Sequence, residues 1–309
     1  MLSKVAERMY WFARYLERVE NTARMVGVYD NLLFDLPRSI NISWYNLVVI
    51  NSATSYFEDR YKVQDERNVV KFILADDNNP SAMLPSLAQA RENVRTTRDV
   101  FPEDVWELIN ELHLYASDNI QAGINRTNRH AYLENIIRGC QQINGLLTHN
   151  MSKDAAWQFI RLGRNLERAD MTSRILDAGS VAMLFSTEEH QLDASQVIWG
   201  NVLRSCSATM NYRRTVRSDV NGPDVADFLI NDRLFPRSIS YCVEQIVVSL
   251  NDLPGKNSEV APKDLLQMLD ATFESEDDVG ETFRDYINDL QLALAELHGQ
   301  FSQRWFALA

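Results

Sequence analysis

The sequence predicts an all-α protein, a single compact helical bundle built from two halves related by a pseudo-twofold axis. Three observations carry this expectation. Apolar residues recur with a period near 3.6 over long stretches, and alternating β-branched runs are almost absent. Gly and Pro are sparse, 11 and 8 in 309 residues, so few breaks interrupt the helices. An eleven-residue motif, Arg14–Arg24 (RYLERVENTAR), returns 150 positions later as Arg164–Arg174 (RNLERADMTSR), keeping Leu16 with Leu166, Glu17 with Glu167, Arg18 with Arg168 and Thr22 with Thr172.

Taken in order, Ser3 is placed to cap a first helix reaching about Leu33, with Pro37 as its stop. On that helix Phe12, Leu16, Val19, Ala23 and Val26 form an apolar stripe, matched in the second copy by Leu162, Leu166, Ala169, Ser173 and Leu176. Ser43 opens a second helix. Its Trp44, Asn46, Leu47, Ser52, Ala53 and Thr54 return as Trp199, Asn201, Val202, Ser207, Ala208 and Thr209. A short helix then leads to an Asp-x-x-x-Pro turn, Asp76 to Pro80 in one half and Asp232 to Pro236 in the other, with the proline expected just inside a helix start. The first half continues with ARENVRTTRD from Ala90 and a helix begun by Pro102; no clear counterpart of ARENVR exists in the second half. A helix at 127–150 links the repeats, about 1–125 and 151–309, within one domain spanning 1–309. A loop follows Leu253, marked by Pro254, Gly255 and Pro262; Glu274–Asp278 reads as a solvated acidic turn; a last helix runs from Asp285 to Phe306. Two repeats are too few for a solenoid, which needs about three units, so they are expected to pair.

The composition limits the function. A net charge of −12 argues against nucleic acid or an anionic membrane as main partner, although arginine clusters can still bind anions. Cys140, Cys206 and Cys242 lack paired spacing, which suggests neither a disulfide framework nor a zinc site. Charges interrupt the N-terminal stretch where a signal peptide needs an apolar core, and no run approaches the ~18 apolar residues of a membrane span. A cytoplasmic location is therefore expected. The five histidines follow no metal-ligand spacing; Glu17 and Glu167 resemble the repeated glutamates of di-iron bundles, but Glu20 and Asp170 stand where those sites carry histidine. No metal, cofactor or catalytic residue is nominated.

What remains is a charged face. Arg14, Glu17, Arg18 and Arg24 share one side of the first helix, and Arg164, Glu167, Arg168 and Arg174 the same side of its copy. One reading is a buried ion network fixing helix register, the commoner use of such groups. The other is a cationic cleft for a phosphate, nucleotide or carboxylate, since the six arginines outnumber the two glutamates. Acids such as Glu20 and Asp170 could supply the difference. Arg91, Glu92, Asn93 and Arg95 are further binding candidates. Tyr10, Trp11, Tyr15, Trp44 and Trp199 are expected in the core.

Three segments, AERMYWFARYLERVENTAR from Ala6, PSLAQARENVRTTRD from Pro85 and FIRLGRNLERADMTSR from Phe159, resemble the alpha-E family of bacterial all-helical proteins, whose activity is unassigned. The likeness covers essentially the whole chain, and its glutamate–arginine pair is Glu17–Arg18 and Glu167–Arg168. A glycine is expected in both copies of the helix; Gly163 keeps it and Ala13 replaces it. The resemblance implies work beside a circularly permuted ATP-grasp ligase and a transglutaminase-like or proteasome-like peptidase, in making or processing peptides or peptide tags. The expected role is a non-catalytic accessory or scaffold subunit of the ligase. The alternative is a stand-alone enzyme acting on a small anionic or peptidic substrate in an arginine-lined cleft.

Overall fold

Long amphipathic stretches and well-placed caps give the observed elements. The computed structural model describes residues 3–35, 42–184, 191–254, 260 and 262–306, without the side chains of residues 34, 35 and 191–193. Among these residues there are fifteen α-helices and no strand. The helices are α1 (Ser3–Asp35), α2 (Asn46–Ile50), α3 (Thr54–Glu58), α4 (Glu66–Ala75), α5 (Met83–Arg95), α6 (Glu103–Asp118), α7 (Ile120–Ile124), α8 (Arg126–Asn150), α9 (Ala155–Leu184), α10 (Gln191–Ser205), α11 (Thr209–Thr215), α12 (Gly222–Asn231), α13 (Ile239–Asp252), α14 (Lys263–Met268) and α15 (Glu281–Phe301). A 3-10 turn, Glu276–Val279, precedes α15, and a π turn, Ser302–Phe306, follows it.

α1 and α9 are the central pair. α1 packs on α9, α5 and α8, while α9 packs on α13, α15 and α10. Both expected apolar stripes are fully covered, but the charged sides of α1 and α9 are the ones that meet. On the α1 stripe, Phe12 lies edge-on to Phe101, in the segment between α5 and α6, at 4.9 Å. Gly163 sets the approach of the pair: a β-carbon there would lie 2.2 Å from the Tyr10 carbonyl oxygen. Ala13, where a second glycine was expected, is accommodated, its Cβ standing 3.3 Å from that same point.

Several expected boundaries are corrected. α1 is described from Ser3, and Met1, Leu2 and Pro37 lie outside the described residues, as does Gly255 in the expected loop. The helix expected from Ser43 is broken in both copies, where Ser52 and Ser207 adopt φ of 51° and 53° and split α2 from α3 and α10 from α11. Pro80 and Pro236 lie in the turns before α5 and α13, not inside them. The Asp76 carboxylate accepts the Asn78 amide (3.0 Å), and the Asp232 carboxylate accepts the Leu234 and Phe235 amides (2.8 and 2.6 Å), holding each turn open ahead of its helix. The final helix starts at Glu281 rather than Asp285. Nor is the acidic turn merely solvated, because Glu276 Oε1 accepts the Gly222 amide (3.1 Å) and the Ser195 hydroxyl (3.2 Å).

Candidate functional site: the charged interface of α1 and α9

Helical spacing puts Arg14, Glu17, Arg18, Glu20, Asn21 and Arg24 on one side of α1, and α9 presents its own copy of the motif to that side. Glu167, 2% exposed, accepts Arg14 Nε on Oε2 at 2.6 Å, Arg18 Nε on Oε1 at 2.7 Å and Arg18 Nη2 on Oε2 at 3.2 Å. Glu17, 1% exposed, lies 2.9 Å from Arg168 Nε and 2.9 Å from Arg237 Nη1. The pairing is thus reciprocal in charge but not in geometry. The Glu17 contacts fall off the hydrogen-bond direction, leaving both of its oxygens without a hydrogen-bond partner.

Acids outside the Glu17–Glu167 pair hold the next cations. Glu20 takes Arg24 (2.7 Å) and Arg237 (3.0 Å), and Asp170 takes Arg174 (3.0 Å), which also reaches the Ser52 hydroxyl. Arg237, from the turn before α13, was not foreseen; it also donates to Asn21 at 2.6 Å. Of the six motif arginines, Arg164 alone has no carboxylate within ion-pair distance among the described residues.

The electrostatics follow from burial and pairing. Burial pushes the Glu167 carboxyl up, yet Arg18 and Arg14 outweigh it and bring the pKa to about 2; Arg168 and Arg237 overcome burial at Glu17 and bring it to about 2 as well. At the end of the network, Arg14 donates to the Tyr10 hydroxyl (3.2 Å), which lies 2.8 Å from His298 Nδ1. Arginine only donates, so Tyr10 accepts from Arg14, while the direction of its bond with His298 Nδ1 is set by the imidazole tautomer. Burial first, then Arg14, lower the His298 pKa to about 4.

An acid titration is expected to fall in two stages. His298 has its folded pKa below the ordinary 6.5, so its contribution is complete above 6.5 and is lost as the pH drops towards 4. Glu17 and Glu167 contribute fully above 4.5 and lose that contribution between 4.5 and about 2. Urea unfolding against pH should show a slope beginning below 6.5 and steepening below 4.5. His298→Gln should flatten the first part, and an unchanged slope would remove His298 from the network.

The ARENVR residues do not join this interface. Arg91 donates to Asn110 Oδ1 (2.8 Å) and lies over Trp106 (5.1 Å), Glu92 pairs with Arg95 at 2.7 Å on the surface, and the Asn93 carbonyl accepts the Thr97 hydroxyl at 2.6 Å. Arg98 stacks on the same Trp106 at 3.8 Å, beside an open cleft of about 420 Å³. A second buried cation was also missed. Arg129, 1% exposed, holds Asp30 (2.6 Å) and Glu66 (2.8 Å) and donates to the Gly123 and Ile124 carbonyls (3.0 and 2.9 Å). Nothing in the local sequence marks it, because its partners come from α1, α4 and α7. The three cysteines are free and buried.

Together, the geometry defines an all-helical protein organised on a glutamate–arginine motif repeated on its two central helices. The chain belongs to the Alpha-E family, described as a predicted alpha-helical domain with a conserved ER motif, which matches residues 1–306. It is 21% identical over 284 residues to an uncharacterized protein of Mycobacterium bovis and 20% identical over 284 residues to one of Mycobacterium tuberculosis strain H37Rv. Each alignment covers 86% of this chain and 31% of the relative, so the chain spans about a third of the length of the curated relatives it matches. No solved structure matches it. Among the described residues no helix is long and apolar enough to cross a membrane.

Proposed function

We propose that this chain is a non-catalytic accessory subunit of a circularly permuted ATP-grasp ligase, acting in the cytoplasm to help present the ligase's amino-acid or peptide substrate. A transglutaminase-like or proteasome-like peptidase would act on the product. One observation carries the accessory reading: the ER residues are engaged with one another, Glu167 with Arg14 and Arg18 and Glu17 with Arg168 and Arg237. Guanidinium groups already holding buried carboxylates have little left for a substrate. The motif then serves as the fastening of a scaffold, and the outer surface is left for partners. The length of the mycobacterial relatives supports the same reading, since there the domain is one part of a longer chain.

Co-expression with the ATP-grasp ligase of the native host tests the proposal. The two proteins should co-elute, or this chain should change the ligase's ATP turnover at micromolar concentration. Neither effect, in either measurement, would remove the accessory role. Turnover of a peptide or small anionic substrate by the purified single chain would favour the enzyme reading instead.

A further inference from the structure

We propose that Arg164 and Lys153, which lie over the indole of Trp157, form with Arg161 one turn away a binding site for a compact oxyanion, a phosphate or the free carboxylate of a peptide, where α8 passes into α9. This goes beyond the accessory role and does not depend on the ligase.

The starting point is a charge left over. Arg14, Arg18, Arg24, Arg168, Arg174, Arg129 and Arg237 each hold a carboxylate. Arg164 does not, and its Nη2 is buried without a hydrogen-bond partner. Its guanidinium lies 5.7 Å from the Trp157 ring centre, and Lys153 Nζ lies 3.6 Å from the same ring. Arg161, one turn before Arg164, is anchored by Gln245 (2.7 Å) and Gln158 (3.2 Å), with the half-exposed Asp252 at 3.9 Å. Lys153 donates to the Thr148 carbonyl at 2.7 Å and the Leu147 carbonyl at 3.4 Å, closing the end of α8 while its side chain remains exposed.

These cations perturb one another. Burial and then Arg168 lower the Arg164 pKa to about 10 despite Glu17 and Glu20 on the α1 side, and burial with Arg164 and Arg161 lowers that of Lys153. Leaving a buried guanidinium nitrogen unpaired is costly, and the planar fork of arginine matches two oxygens of one anion.

The purified full-length chain is titrated calorimetrically with inorganic phosphate and, separately, with alanyl-alanine and its C-terminal amide, at matched ionic strength. Binding of phosphate, or of the free dipeptide but not its amide, is expected and identifies the source of the oxyanion. Arg164→Gln should weaken it about tenfold or more, as loss of a charge-assisted hydrogen bond implies. If that variant does not fold, Lys153→Gln, at an exposed position, should weaken binding severalfold. No binding of any probe, or undiminished binding in the folded variants, overturns the site.

Discussion

Glu167→Ala is expected to lower the unfolding free energy by about 3 to 5 kcal/mol, the range for stranding buried charges by removing their partner. The carboxylate holds both Arg14 and Arg18, with three hydrogen bonds between 2.6 and 3.2 Å, and among the described residues no other acid is paired with either arginine. After truncation two neighbouring cations of α1 are left against α9 without their carboxylate. Glu17→Ala should follow the same direction with Arg168 and Arg237, although Arg237 keeps Glu20. Equilibrium urea unfolding near neutral pH measures both. Combining Glu167→Ala with Arg18→Ala should recover part of the loss, because the second change removes one stranded charge. A loss below about 1 kcal/mol for Glu167→Ala would mean that the pair is solvated, as surface ion pairs are.

Gly163→Ala should destabilise by about 3 kcal/mol, at the upper end of overpacking costs. Helix propensity alone favours alanine by about 1 kcal/mol. It loses here because the new methyl would meet the Tyr10 carbonyl oxygen at 2.2 Å, and backbone in the middle of a long helix cannot give way as a side chain does. Separation of α1 from α9 would also lengthen the Arg14–Glu167 contact, which adds to the cost. Gly145→Ala is the matched control, since nothing lies within 4 Å of its β-carbon position inside α8, and it should stabilise slightly. Equal effects at the two sites would show that close approach at Gly163 is not what excludes a side chain.

Much of the scaffold was legible without coordinates. The helix at 127–150 agrees with α8 (Arg126–Asn150), and the apolar stripes of α1 and α9 are buried as their spacing predicts. The copies of the motif were evident from identity alone, and Glu20 and Asp170 were anticipated as acids able to supply the missing partners, which they do for Arg24 and Arg174. Those two pairs lie four residues apart on one helix, within reach of local geometry. The breaks at Ser52 and Ser207 were not legible, because serine carries no obligation to take a left-handed conformation.

Helix class, helix faces and the repeated ER pair were determined by the sequence itself, since they depend on contacts within a few residues and on a fixed 100° turn per residue. Tertiary structure decided everything that depends on how two distant helices are rotated against each other. It turned the charged sides of α1 and α9 inward, joined Arg18 to Glu167 across 149 residues, and brought Arg237 to Glu20 across 217 and His298 to Tyr10 across 288. Among the described residues Arg164 was left without a carboxylate for the same reason. Its spacing on α9 is that of Arg14 on α1, and only the arrangement of neighbouring helices determines which of two equivalent arginines reaches an acid.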